Sequence, residues 1–262
     1  MMIWRIEGLK IKKMAKSTEI YGIRTTIEAI KSGKILNKVL IKKGLRSTIF
    51  SELFDLVKKY EIPYQYVPIE KLNRITNANH QGIVADVSVI EYQKIENVLP
   101  AIYENGKTPL ILILDKISDV RNFGAIVRTA ECAGVDAIII PTFGSARISA
   151  DAIKTSAGAL FSVPICRSFN LKETIVFLKN SGLQIVAASE KSSNYYYTIN
   201  FTLPTTIISG SEEKGVSNEY LKLSDIKVRI PQFGKIDSLN VSIASGVIIY
   251  EAIRQRMIGS VV

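Results

Sequence analysis

The sequence predicts an α/β protein in which a small N-terminal α/β module precedes a larger domain built on a parallel sheet. Three observations carry that prediction. Ile111-Leu112-Ile113-Leu114 is a continuous apolar run, the pattern of a strand buried on both faces of a parallel sheet. From there onward short apolar runs alternate with amphipathic segments, as strands and helices do when helices cover both faces of a sheet. Residues 93–108 hold Pro100 and the turn pair Asn105-Gly106 between two patterned regions, which places the inter-domain connection there. The resulting division is an extension over 1–18, a module over 19–92, a linker over 93–108 and a main domain over 109–262.

The pattern becomes regular at Glu19. Tyr21-Gly22 opens a helix bearing Thr26, Ile27 and Ile30, and Lys38-Val39-Leu40-Ile41 reads as a short strand. Ile49, Leu53 and Val57 recur at a spacing of four and predict a helix from about Ser47 to Tyr60. A strand at Tyr64–Val67, a short helix at Ile69–Leu72 and an apolar strand at Ile83–Val87 complete the module. His80 is the chain's one histidine and lies in the polar loop Asn77–Gly82. Without a serine or thiol partner it reads as a turn or hydrogen-bonding residue, and hydrolytic nucleophile chemistry is disfavoured.

In the main domain the buried strand runs into a helix carrying Ile126, Ala130 and Ala133. Strands follow at Asp136–Ile140, Ser162–Cys166 and Leu183–Ala188, with helices at Ser149–Ser156 and Leu171–Lys179. Two later apolar runs, Thr205–Ile208 and Lys227–Ile230, end in polar loops. The second loop feeds a long helix with Val241, Ala244, Ile248 and Ala252 on one face, and Ile243, Val247, Ile249 and Ile253 on others.

Composition narrows the function. At 262 residues and 47% hydrophobic, the chain can bury one large core or two modest ones. No apolar run approaches the ~20 residues of a membrane span, and Lys10, Lys12 and Lys13 are not followed by a signal-peptide core, so a cytoplasmic protein is expected. Cys132 and Cys166 lack metal spacing and read as reduced core residues, so no metal is expected. The net charge of +10 favours a polyanionic partner. Seven of those ten charges fall in residues 1–92, which marks the first third as the end that docks nucleic acid.

The densest polar cluster is Asp115, Asp119, Arg121, Asn122 and Gly124, at the carboxyl end of the first buried strand, where open α/β sheets place their ligands. The same residues also read as a helix cap at Asp119 and a turn at Asn122 and Gly124. Gly210 and Gly215 imitate the spacing of a phosphate loop. Val216 then stands where lysine would be needed, which excludes nucleoside-triphosphate binding of that type. No Gly-x-Gly-x-x-Gly follows a strand, so a nicotinamide fingerprint is missing too.

Three loops together are more specific than any one. Asn122-x-Gly124-x-x-x-Arg128-Thr129-Ala130, Gly210-x-Glu212-x-x-Gly215 and Ile230-Pro231-x-x-Gly234-x-x-x-Ser238-Leu239-Asn240-Val241-Ser242 resemble, in order, the three motifs of the SpoU (TrmH-like) RNA ribose 2′-O-methyltransferases. Ser156-Ala157-Gly158-Ala159 is a weaker further match, and the segment from Tyr21-Gly22 to Gly82 is similar to that family's L30e-like substrate-binding domain. Val120 stands where the family often has proline, and Gln232 where it often has methionine. Both flank the motif residues.

The resemblance implies a C-terminal domain with a deep trefoil knot, an exception to the rule of unknotted chains. It implies S-adenosyl-L-methionine as cofactor, held at Gly210, Ile230 and Leu239: a close backbone approach and two apolar walls for a purine, though Ile230 and Leu239 also suit plain core packing. It implies catalytic positions at Arg128, Asn122, Glu212, Ser238 and Asn240. An arginine is a poor literal base, so Arg128 is expected to grip a phosphate and stabilise charge on the 2′-oxygen while the other four orient it. Arg128 lies four residues beyond Gly124, which puts both near one helix face. Turn formation, a solvated loop charge and helix capping are the alternative roles for Asn122, Glu212 and Ser238 or Asn240, and Asn240 can cap and orient at once.

The resemblance further implies RNA as partner, most readily ribosomal (23S-like) and next transfer RNA, and a homodimer that covers the long apolar helix. A non-catalytic RNA-binding protein retaining the fold is the competing reading; an unrelated small-molecule enzyme leaves the basic first third unexplained.

Overall fold

The structure is a computed structural model and describes residues 19–236 and 238–259; the N-terminal extension over 1–18 lies outside the described residues. The chain divides into two compact units after Val89.

The first unit runs β1 (Glu19–Tyr21), α1 (Ile23–Lys31), β2 (Leu36–Lys42), α2 (Thr48–Lys59), β3 (Tyr64–Val67), α3 (Ile69–Ile75) and β4 (Ile83–Val87). Its sheet has the order β1-β4-β2-β3, with β2 and β3 parallel and β4 antiparallel to both β1 and β2. The predicted helical stripes are its core: Ile23, Ile27 and Ile30 of α1 and Leu53 and Val57 of α2 pack on Val39, Ile41, Ile83 and Ala85. Ser47 caps α2 by accepting the Phe50 amide hydrogen at 3.1 Å. His80 serves the loop. The Gly82 amide donates to Nδ1 at 3.0 Å, which leaves Nε2 to donate to Asn73 Oδ1 at 2.8 Å.

The second unit runs α4 (Ile95–Glu104), β5 (Leu110–Asp115), α5 (Val120–Cys132), β6 (Ala137–Pro141), α6 (Ala150–Thr155), β7 (Ile165–Ser168), α7 (Leu171–Asn180), β8 (Gln184–Ala188), β9 (Thr205–Gly210), α8 (Asn218–Leu223), β10 (Ile226–Val228) and α9 (Val241–Gly259). The sheet order is β10-β8-β9-β5-β6-β7 and every pairing is parallel. All six residues of β5 are buried, as its unbroken apolar run requires.

Several elements differ from the sequence reading. Residues 93–108 are not an open linker, because Ile95–Glu104 folds as α4 and buries Ile95, Val98, Leu99 and Ile102 against Ile111, Ile113 and Ile175. Pro100 is tolerated inside that helix, whose apolar period outweighs the breaker signal. The strand expected at Ser162–Cys166 begins at Ile165, after a turn entered through Gly158 at φ +87° and a single 3₁₀ turn at Ala159–Phe161. Cys132 is exposed at the end of α5. Cys166 is buried, and burial first, then the nearby Glu96 carboxylate, pushes its thiol up to about 12.

Two contacts fix the helices that flank the site. Arg256, near the end of α9, donates to four backbone carbonyls, those of Phe201, Thr108, Pro109 and Leu203, at 2.7 to 3.0 Å. That fork ties the end of α9 to the chain entering β5 and β9. Gly124 of α5 lies flush on α6: a Cβ there would sit 2.0 Å from Thr155 Oγ1, 2.7 Å from Thr155 Cβ and 3.0 Å from the Ser156 amide nitrogen. Gly124→Ala should therefore lower stability by about 1–3 kcal/mol, the usual cost of overpacking, read as a fall in the urea midpoint. Adding Thr155→Ala should restore only part of the loss, since Cβ and the backbone remain.

Candidate active site

β5 and β9 lie side by side where the sheet order reverses, and their register sets Asp115 opposite Gly210. Their loops therefore leave the sheet together, at the kind of crevice where open α/β sheets bind ligands. In the first loop Asp119 Oδ1 accepts the Arg121 and Asn122 amide hydrogens, both at 2.8 Å, and caps α5. The capping role read for Asp119 is correct. The turn read for Asn122 and Gly124 is not, because both lie inside the helix, which begins at Val120.

The second loop, Ser211–Ser217, folds back onto the strand it leaves. A Cβ on Gly210 would lie 2.0 Å from the Gly215 carbonyl carbon and 2.1 Å from the Val216 nitrogen, so only glycine permits this approach. Asp115 holds the far end of the loop. It is buried, and its Oδ2 accepts the Ser217 amide hydrogen at 2.7 Å while Lys116 Nζ donates to Ser217 Oγ at 3.1 Å. The sequence reading included Asp115 in the polar cluster without a role. The available signal was a lone carboxylate closing an otherwise apolar strand.

The third loop enters α9 through Asn240. Its Oδ1 accepts from the Ser242 amide at 2.9 Å and from Ser242 Oγ, which caps α9. Its Nδ2 donates to Asn122 Oδ1 at 3.0 Å and to Glu212 Oε1 at 2.5 Å. One amide thus joins the first turn of α5 to the second and third loops. Asn240 caps and orients at once, and among the described residues it, not Ser238, supplies the cap. A buried Ser245 Oγ to Ser209 Oγ bond at 2.9 Å fastens α9 to β9 just beneath.

Beside this junction is a cavity of about 470 Å³. Gly210, Ile230 and Leu239 line it, with Glu212 and Ser238 at its polar side. Val228, Leu221, Ala244 and Ile248 add apolar wall, and Glu190 and Glu213 add carboxylates. Lys191, Lys214 and Arg229 line it too, and its size and mixed lining are those of a small-molecule site.

The SpoU rRNA Methylase family model matches residues 109–250, and a second, described as RNA 2′-O ribose methyltransferase substrate binding, matches residues 20–93. The chain belongs to the SpoU rRNA Methylase family. Among relatives, YacO of Bacillus subtilis (strain 168), named as a TrmH family tRNA/rRNA methyltransferase, is 32% identical over 90% of this chain and 95% of its own length. A TrmH family tRNA/rRNA methyltransferase of Staphylococcus aureus (strain MSSA476) is 34% identical over 92% of this chain and 97% of its own. Among solved structures, the AdoMet-bound rRNA methyltransferase from Sinorhizobium meliloti has a TM-score of 0.57 at 25% identity, covering 90% of this chain and 86% of that one. The A. aeolicus TrmH/SpoU tRNA modifying enzyme has a TM-score of 0.55 at 34% identity over 63% of this chain and 86% of that one.

In this SpoU chain the residues matching the motifs fall into three groups. Asn240 is bonded to both Asn122 and Glu212, and Gly210, Ile230, Leu239 and Ser238 line the adjoining cavity with Glu212. Arg128 stands apart. It is exposed and, among the described residues, has no hydrogen bond or ion pair, although the neighbouring Gly124 is buried against α6, so the two do not share an environment. A free guanidinium on this helix can take an anion from outside.

Asn240→Asp tests the junction. The aspartate keeps the cap on α9 but loses both donors and faces Glu212 with like charge. Stability should change by less than about 1 kcal/mol, because these bonds are exposed, whereas methyl transfer should fall on the order of 100-fold as the loops lose their register. Urea unfolding and single-turnover kinetics read the two effects separately.

Proposed function

We propose that this SpoU chain transfers the methyl group of S-adenosylmethionine to a ribose 2′-hydroxyl of structured RNA in the cytoplasm, ribosomal RNA before transfer RNA. The observation that carries the reading is the Asn240 junction, which seats Asn122 and Glu212 beside the cavity formed by Gly210, Ile230 and Leu239. In the fit to the cofactor, Gly210 gives backbone to the cavity wall, Ile230 and Leu239 flank a purine, and a mixed set of carboxylates and cations meets its polar ends. The cofactor supplies a methyl on a sulfonium that is already a good leaving group.

The protein's share is then alignment and charge. Asn122 and Glu212, oriented through Asn240, position the ribose, and Ser238 contributes a hydroxyl at the cavity side. Arg128 holds the phosphate next to the target nucleotide and offsets negative charge growing on the 2′-oxygen as its proton leaves. Arginine suits this better than lysine because its fork binds phosphate in two places. The expected knot would lie in the chain after β10, which runs beside the β8 loop: the Ser189 and Tyr196 amides donate to the Val228 and Arg229 carbonyls, and the Arg229 amide donates to the Asn194 carbonyl.

Arg128→Ala should fold normally, bind S-adenosylmethionine with near wild-type affinity and lose transfer on the order of 10²–10³-fold, with Arg128→Lys only partly active. Calorimetry measures the first property. The second is read by mapping 2′-O-methyl sites in RNA from cells lacking the gene and complemented with wild type or variant. Wild-type turnover by the alanine variant would refute the role, and sites on transfer RNA alone would refute the preferred substrate.

A homodimer is the second expectation. Ile249 is fully buried within the domain, but Ile243, Tyr250, Met257 and Ile258 of α9 are exposed, and so large an apolar face on one helix calls for cover. Light scattering at micromolar concentration should give about twice the 29.0 kDa chain mass. A 29.0 kDa particle would refute the dimer.

A further inference from the structure

The N-terminal unit carries a line of aromatic rings that neither the cavity nor the three loops use. Phe50 and Phe54 lie one turn apart on α2 with ring centroids 5.8 Å apart; Phe54 meets Tyr64 at 5.2 Å, and Tyr64 meets Tyr66 at 5.8 Å. Tyr64 and Tyr66 pair with Val39 and Ile41 of β2, whose side chains are core, so both tyrosines stand on the α2 face of the sheet. β3 is the edge strand. Both tyrosines remain about two-fifths exposed, at 38% and 43%, so the line has an open side.

Cations stand at both ends of this line. Lys58 Nζ lies 4.8 Å from the Phe54 centroid and Lys59 Nζ lies 5.5 Å from that of Tyr60, which is itself exposed. Near the other end of β3 the Lys43 amide bonds the Val67 carbonyl at 2.9 Å, whereas Lys42, next after Ile41 and paired with Val67, lies on the opposite face of the sheet. Among the described residues none of Lys43, Lys58 and Lys59 forms an ion pair, whereas Glu52 of α2 is taken up by Lys31 at 2.8 Å. Flat apolar faces interleaved with unpaired cations fit a ligand made of flat bases and phosphates.

The geometry points to a stacking platform on β3 and α2 for two successive unpaired RNA nucleotides, with bases against Tyr64 and Tyr66 and phosphates met by Lys43, Lys58 and Lys59. Side chains two apart on a strand are separated by roughly 6.7 Å, a spacing that lets neighbouring bases of a single strand each reach a ring. Paired bases are stacked inside a helix and hide their faces, so the platform selects loops and bulges over duplex. This rests on the RNA methyltransferase reading above and adds to it which feature of the RNA the N-terminal unit grips.

The test uses the full chain, with fluorescence anisotropy on a labelled short oligouridylate and on a blunt duplex of equal length. The wild type should prefer the single strand. Tyr66→Ala should weaken single-strand binding on the order of ten-fold without changing the salt slope, because stacking releases no counterions, while Tyr66→Phe should bind like the wild type. Lys43→Gln should instead reduce the salt slope. Should Tyr66→Ala fail to fold, photo-cross-linking of 4-thiouridine RNA to the wild type should mark Tyr64 or Tyr66, and cross-links confined to other residues would overturn the platform. Unchanged RNA affinity in Tyr66→Ala, alone or with a change in particle mass that reveals a protein-binding edge, would overturn it and leave the enzymatic reading standing. Failure of the wild type to bind either RNA would overturn both.

Discussion

Asn240 has two donor hydrogens and one acceptor oxygen on a single amide, and the oxygen receives two bonds while one hydrogen meets the first turn of α5 and the other the second loop. Residues 118 and 28 positions away in the chain are thereby set against the first turn of α9. These bonds are exposed, so their contribution is to orientation more than to stability. Their reach is short, however, and they form only because the loops already leave the sheet together. The register of Asp115 with Gly210 secures that.

The stability needed to hold such a junction comes from beneath it. Two positions without side chains allow close approach: Gly210, where the loop backbone folds back on its strand, and Gly124, where α5 meets Thr155 and the Ser156 amide at the end of α6. Asp115 then ties down the end of the loop that carries Glu212, and the Ser209 to Ser245 bond joins β9 to the helix that carries Asn240. At the opposite end of α9 the Arg256 fork grips four carbonyls, so the helix lining the cavity is held at both ends. Burial of that guanidinium pulls its pKa down from the ordinary arginine value, with Asp136 opposing the shift. A ligand site built this way is largely preformed, which limits the ordering cost on binding.

The chain separates two tasks between two units. The parallel sheet supplies converging loops and a cavity, whereas the N-terminal unit offers basic and aromatic surface. Arg128 is on the first unit's neighbour in sequence, the methyltransferase domain, yet it is bonded to nothing among the described residues. That freedom suits a group whose partner arrives with the RNA. A side chain already committed to a carboxylate would first have to give it up.

The sequence by itself determined most of the secondary structure and, through the resemblance, which loop residues are candidates for the site. Apolar runs such as Ile111–Leu114 and the four-residue spacing of Ile49, Leu53 and Val57 encode local periods, and local periods are legible without knowing the fold. The glycine, asparagine and glutamate positions of the three loops were legible too, through their resemblance to an ordered set of motifs. What the tertiary structure decided was partnership. Residues 93–108 read as a linker because proline and turn signals are local, and only the presence of Ile111, Ile139 and Ile175 as neighbours makes Ile95, Val98 and Leu99 a buried face. Asn122 looked like a turn residue until Asp119 capped a helix ahead of it, and Asp115 had no visible role until Ser217, 102 residues later, was set above it. Each of these depends on contacts between distant segments, and such contacts leave no period in the chain.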